Sequence, residues 1–315
     1  MWLQRFTNYV LAHRWQTVIL SFVITFVPII GIVGILIAAL VTLSKSVVEG
    51  AVLTIAATLP YVISFYLAGS YNEATPAIVV WAAVSVAVLS NVLTWVSAVM
   101  LRRQTSWSLI LQVGALLGVL VVSVIHLADP AIADWWGGQL QAYYSQVQAV
   151  TGALKSSVPG TAAGSADSQV EMINVTKQYA TGLMVAGILF NAILQLIVAR
   201  WWQAIVFNPG SLRRELQRIR LSPLAGVLFI VSLVCSYLGN SVVSDIMPIL
   251  YILFGAAGLS LVHYLFGLMG SNTRWFWILL FYIALIISLP TSVVLVAILA
   301  LLDIWLNMRK RFSKG

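Results

Sequence analysis

WFWILLFYIALIISLPTSVVLVAILALLDIWL, Trp275 to Leu306, is a 32-residue apolar stretch with Pro290 near its middle. Whether it crosses a bilayer once or twice sets the side on which every earlier loop falls relative to the C-terminus. An α-helix rises about 1.5 Å per residue, so one continuous helix would reach about 48 Å, well beyond a hydrocarbon core of about 30 Å. Proline removes a backbone donor and restrains the residue before it. Two short helices turning near Pro290 therefore fit the length better than one long helix.

The other end reads the same way. Thr17–Leu43 is apolar but carries Pro28, Gly31 and Gly34. Between these ends lie apolar segments at Val47–Ala68, Ala77–Leu101, Trp107–Leu127, Thr181–Ala199, Leu224–Gly239 and Ile246–Met269. The 315 residues are 61% hydrophobic and only 8% charged, whereas soluble domains carry about 25% charged residues. The segments are continuously apolar rather than alternating, which selects helices over a β-barrel.

Charge decides the parity. If all eight segments were single passes, 8 of the 17 lysines and arginines would fall on the side of the N-terminus, which is no bias. With the first and last segments folded as hairpins, every lysine and arginine except Lys155 and Lys177 falls on one side. Glu73, Asp129, Asp134, Asp167, Glu171 and Asp245, six of the nine acids, fall on the other. Lys and Arg accumulate in cytoplasmic loops. The sequence thus predicts an all-α, polytopic membrane bundle of about ten helical passes in a bacterial inner membrane, with both termini cytoplasmic. The basic N-terminal flank and its long apolar run read as a retained segment rather than a cleaved signal.

Three regions follow: membrane helices over 1–127, an extracytoplasmic loop over 128–178, and membrane helices over 179–315. In the loop, Asp129-Pro130 starts a helix. Ile132, Trp136, Leu140, Tyr143, Val147, Val150 and Leu154 share one face of it. Ser156–Ser168, rich in Ser, Gly and Ala, reads as a flexible break before a second helix from about Gln169. Trp135, Trp136, Tyr143 and Tyr144 suit the membrane interface or the mouth of a cavity. On the cytoplasmic side a basic amphipathic helix is expected over 208–222, with Leu212, Leu216 and Ile219 on its apolar face. Arg200, Trp201, Trp202, Arg213, Arg214, Arg218 and Arg220 around it are candidates for contact with anionic headgroups or with a protein partner. Topology accounts for the net charge of +8 without nucleic acid.

Nothing in the sequence points to catalysis. There is no paired-acid, Ser/His/Asp or metal-ligand spacing, and the single Cys235 forms no intrachain disulfide or thiolate metal site. No catalytic residue, metal or cofactor is expected. Ionisable groups at membrane depth are functional by default, which singles out His263, beside Tyr264, and Asp303. Among uncharged polar groups, Asn91, Gln112, Asn191 and Gln195 lie inside spans. Asn191 and Gln195 are four apart and share a helix face. Gln112 sits with Gly114 and Gly118 in a small-residue pattern that lets helices approach. Such residues either line a cavity for a small polar ligand or bond helix to helix.

Three stretches carry a resemblance. They are Leu40–Lys45 through Glu49-Gly50, Ala199–Gln203 through Asn208-Pro209-Gly210 and the basic helix, and Leu302–Trp305 through Arg309–Arg311. Together with the amphipathic loop they resemble the YybS-like bacterial membrane proteins, a group of unknown function. That family is distantly similar to the substrate-binding membrane subunits of energy-coupling-factor vitamin transporters. The resemblance implies capture of a small molecule from outside, with an energising partner elsewhere, since the chain has no phosphate-binding G-x-x-x-x-G-K loop. The alternative is a non-catalytic scaffold for envelope or division machinery.

Overall fold

The computed structural model of the chain describes residues 2–27, 30–71, 77–155, 166–269 and 271–312. Pro28, Glu73, Lys314 and most of the Ser156–Ser168 break lie outside them. The described residues form fifteen helices and no strand. In chain order these are α1 (Trp2–Ala12), α2 (Arg14–Thr25), α3 (Ile32–Ser44), α4 (Val47–Tyr71) and α5 (Ala77–Arg102). Next come α6 (Trp107–Ala128), α7 (Ile132–Lys155), α8 (Ala166–Thr176), α9 (Ala180–Phe207) and α10 (Ser211–Leu216). The last are α11 (Pro223–Tyr237), α12 (Ser241–Gly267), α13 (Ser271–Ile287), α14 (Leu289–Leu306) and α15 (Met308–Phe312). By length and composition α4, α5, α6, α9 and α12 can each cross a membrane, and α3, α11, α13 and α14 are shorter and apolar. The chain is a multi-pass helical membrane protein.

Both terminal apolar stretches break. α2 ends at Thr25 and α3 begins at Ile32. The C-terminal stretch breaks at Ser288, and α14 starts with Pro290 in its first turn, where proline's missing donor costs nothing. α2 and α3, with 12 and 13 residues, reach only about 18–20 Å. α3 is sheathed by α2, α4, α5 and α9, and its residues from Gly34 to Leu43 are buried.

α9 and α12 form the centre. α9 packs on α3, α5, α6 and α12, and α12 also packs on α6, α11 and α14. Phe229 of α11 stacks on Phe254 of α12 with ring centroids 4.1 Å apart. In lipid, close packing through small residues replaces the hydrophobic drive between helices, and three glycines serve it. A Cβ added to Gly50 would collide with Thr42, to Gly182 with the backbone oxygen of Asp245, and to Gly258 with the backbone oxygen of Val296. These are the crossings of α3 with α4, α9 with α12 and α12 with α14. Gly114 and Gly118 face α9, where added Cβ atoms would sit 3.1 Å from Leu189 and 3.0 Å from Val185. Outside, Trp275, Phe276, Leu279, Ile283 and Ile286 of α13 are exposed, as a lipid-facing surface requires.

The two ends of the bundle differ. One, the basic end, gathers Lys45, Arg102, Arg200, Arg220 and Arg309, and here side chains close helix C-termini. Arg102 donates to the carbonyls of Thr42 and Lys45, both at 2.8 Å. Arg220 donates to Ile304 O at 2.8 Å, and Gln217 to His263 O at 3.2 Å. The two arginine caps satisfy carbonyls left over by the helix and place positive charge on its negative pole. α1, which the sequence reading did not single out, also packs here. Trp202 donates to Thr7 Oγ1 at 2.9 Å and stacks on Phe6 at 5.8 Å.

The opposite end carries α7 and α8. Trp136 of α7 donates to Thr181 Oγ1 at 2.9 Å, and Lys177 pairs with Asp134 at 2.9 Å. Ile132, Trp136 and Leu140 of the expected apolar face are half-buried, whereas Tyr143 and Val147 are exposed. At the basic end, the helix expected over 208–222 is shorter. Gly210 adopts φ 81°, so the helix starts at Ser211 rather than at Pro209. It stops at Leu216 because the next carbonyls are claimed from outside. Ser260 donates to Leu216 O at 2.5 Å, and Arg309 donates to Ile219 O at 2.7 Å and also to Gln217 O.

Candidate functional site

Three of the polar residues picked from the sequence meet in one network, Asn91 and Gln195 buried and Asn191 half-buried. Gln195 of α9 donates from Nε2 to Asn91 Oδ1 of α5 and to Asn191 Oδ1, each at 3.3 Å. Its Oε1 accepts from Thr94 Oγ1 at 2.6 Å. Asn91 Nδ2 donates to Thr58 Oγ1 of α4 at 3.0 Å, and Asn191 Nδ2 donates to Ser90 Oγ at 3.1 Å. Every amide group of the trio thus has a partner, and three helices are tied together through them. A void of about 20 Å³ lined by Leu93, Leu111 and Leu189 lies nearby, room for about one water. A double-mutant cycle of Asn91→Ala and Gln195→Ala, read by unfolding in detergent, is expected to give a coupling of about 0.6–1.7 kcal/mol, from the average to the largest value found for interhelical bonds in membranes. Additive effects would show that the two amides act separately.

The other candidates lie elsewhere. Gln112 donates to Ser108 O at 2.9 Å and accepts from Ser222 Oγ at 2.6 Å, which ties α6 to the start of α11. His263 sits near the basic end of α12. Its Nδ1 donates to Leu259 O at 2.9 Å, leaving Nε2 to accept from Tyr282 at 3.4 Å. Tyr264 donates to Arg309 O at 3.2 Å, and the Arg309 guanidinium lies over its ring. Asp303 accepts from Arg309 at 3.2 Å.

At the basic end, Arg200 and Glu215 form a two-pronged pair, and Trp107 Nε1 donates to Glu215 Oε2 at 3.1 Å. Partial burial works to raise the Glu215 carboxyl, but the bonds from Arg200 and Trp107 and the charges of Arg200 and Arg214 outweigh it and hold it below the ordinary carboxylate range. A carboxyl depressed on folding stabilises the fold above its unfolded value, and the contribution fades as pH falls through the folded value. The pair therefore holds α10 under the bundle throughout the neutral range. Trp202 is buried and Trp201 exposed. Arg213, Arg214 and Arg218 are exposed, while Arg200 and Arg220 are half-buried and bonded inward. Between the α5–α6 turn and α9–α10 lies a recess of about 320 Å³.

The opposite end holds a buried hydrogen-bonded pair, His126 and Asp245. His126 Nε2 lies 2.8 Å from Asp245 Oδ2, with both side chains almost wholly enclosed. Asp245 Oδ1 accepts from the backbone N–H of Gly182 at 2.7 Å. That amide belongs to the first turn of α9, whose N–H groups have no partner within the helix, so the carboxylate also caps α9. One cluster thus joins α6, α9 and α12. A weak signal was present: His126 lies at the end of its apolar segment and Asp245 just before the start of another, both on the same side.

No protein-family model, curated protein or solved structure matches the chain. What the sites do must be read from their own chemistry. Among the described residues no three His, Cys, Asp or Glu side chains gather as metal ligands.

Proposed function

We propose that the chain is a non-catalytic scaffold of the bacterial cytoplasmic membrane. It crosses about ten times with both termini inside and docks other molecules on its basic, cytoplasmic face. The Asn91–Asn191–Gln195 network carries this reading. A transport-type subunit taking a small molecule from outside needs free donors and acceptors around a space open toward α7. Here those groups are spent on one another, while Arg213, Arg214 and Arg218 stay exposed at the basic end. The YybS-like resemblance is compatible with either role.

Orientation has its own test. In a Cys235→Ala background, a cysteine at Ala142 is expected to react with a membrane-impermeant maleimide in intact spheroplasts. Cysteines at Arg103 or Arg214 should react only after lysis. The reverse pattern would invert the topology.

The scaffold reading itself is tested on the purified protein by mass spectrometry of extracted small molecules. The expected result is no stoichiometric polar ligand in the wild type, and lower thermal stability but no other change in Asn191→Ala. A molecule that co-purifies with the wild type and is lost in Asn191→Ala would restore the transport reading.

A further inference from the structure

The recess at the basic end has a composition of its own. Arg102, Arg200 and Arg218 line it against a single acid, Glu215, so its walls carry a net charge of two positives. The arginines play different parts. Arg102 is pinned by two carbonyls, and Arg200 by Glu215 and Gln203. Their charges are held in place and cannot fold away into water. Arg218 stands at the rim, exposed, and its guanidinium has no hydrogen-bonded or ion-paired partner among the described residues. Its planar fork of donors is therefore available, and such forks match phosphate oxygens.

The neutral groups agree. Gln104, Thr105, Ser106 and Ser108 line the same wall. Gln104 takes the left-handed φ of 63° that turns the chain from α5 into α6. Ser106 caps α6, accepting from Leu109 N at 3.3 Å, so the positive pole of α6 opens at the recess. Fixed cations, a free fork, hydroxyls and a helix pole converge on a space of about 320 Å³. That is larger than an inorganic phosphate needs and has a partly apolar wall of Leu43, Leu101 and Ile219.

We propose that this recess binds a phosphate ester, held by the fixed charge of Arg102 and clamped by Arg218, with the charge of Arg200 balanced by Glu215. Two sources supply that chemistry at a membrane edge: the headgroup of an anionic phospholipid and a soluble phosphorylated metabolite. The site is independent of the scaffold reading.

The test uses the full-length protein in phosphatidylcholine nanodiscs, with dioctanoyl-phosphatidylglycerol and glycerol 3-phosphate as separate probes in titration calorimetry. At least one probe is expected to saturate a single site. Arg218→Ala should weaken it about tenfold or more, as loss of a charged hydrogen-bond donor does. Arg214→Ala, on the exposed surface outside the recess, should change it less than twofold. Ser106→Asp keeps an N-cap acceptor but puts a carboxylate in the recess, and should abolish binding with melting unchanged. Preference for the lipid probe identifies a headgroup site, and preference for glycerol 3-phosphate a metabolite site; both support the proposal. Failure of both probes to bind, or equal weakening by Arg218→Ala and Arg214→Ala, overturns it.

Discussion

Asp245→Ala is expected to destabilise the protein by about 2–5 kcal/mol, because two enclosed hydrogen-bonding groups lose their shared acceptor at about 1–3 kcal/mol each. Asp245 serves two helices at once. Its Oδ2 meets His126 Nε2 at 2.8 Å on α6, and its Oδ1 takes the Gly182 N–H at 2.7 Å on α9. Alanine leaves an imidazole and a backbone donor enclosed without partners, and each such group bears its desolvation cost in full. Asp245→Asn keeps an acceptor for Gly182 and should lose less. His126→Ala strands the carboxylate instead. The double variant should be less destabilised than the sum of the two single ones, because the residues share one interaction. Unfolding in mixed micelles at graded denaturing-detergent fractions measures the four variants against the wild type. Asp245→Ala within 1 kcal/mol of wild type would mean that the cluster does not hold the three helices.

The second large effect comes from the smallest side-chain change available. Gly258→Ala adds one methyl group at the crossing of α12 and α14, where the Cβ would overlap the backbone oxygen of Val296. Backbone cannot swing aside as a flexible side chain does, so the helices must separate. Overpacking of this kind costs about 1–3 kcal/mol and sometimes more. Gly255, one turn earlier on the same helix, is the control. Nothing lies within 4 Å of its added Cβ, so Gly255→Ala should be neutral or stabilise by up to about 1 kcal/mol through helix propensity alone. The two variants share chemistry, helix and near-equal depth and differ only in what the methyl group meets. Equal melting temperatures would show that α12 and α14 do not cross at Gly258.

The helical architecture could be read from the sequence because lipid leaves the backbone so few choices. Continuous apolar runs had to be helices, and Pro290 and the Pro28–Gly34 stretch had to interrupt runs too long to cross once. The existence of α7 was legible from its spaced apolar residues, although it starts at Ile132 rather than at Pro130 and only the first part of that face is covered. Pairings between helices were not. Asn191 and Gln195 advertised a shared face, but only packing decides whether such a face lines a cavity or is saturated by Asn91 and Thr94 from another helix. Gln112 finds Ser222 across 110 positions of chain, and nothing local announces it. The shortness of α10 was hidden for the same reason: Ser260 and Arg309 take the carbonyls that a longer helix would have used. α1 was overlooked because Arg5 and Arg14 read as a flank, whereas Thr7 and Val10 face inward.

The N-terminal hairpin has a consequence for the surrounding lipid. α2 covers α3 and turns Trp15, Ile19 and Val23 outward, yet its 12 residues span only about 18 Å in all against acyl chains that fill about 30 Å. The bilayer beside this flank must compress, at a fraction of a kcal/mol for each ångström of mismatch. That thinned sector favours shorter-chain lipids and gives two such proteins a reason to sit flank to flank and share one deformation.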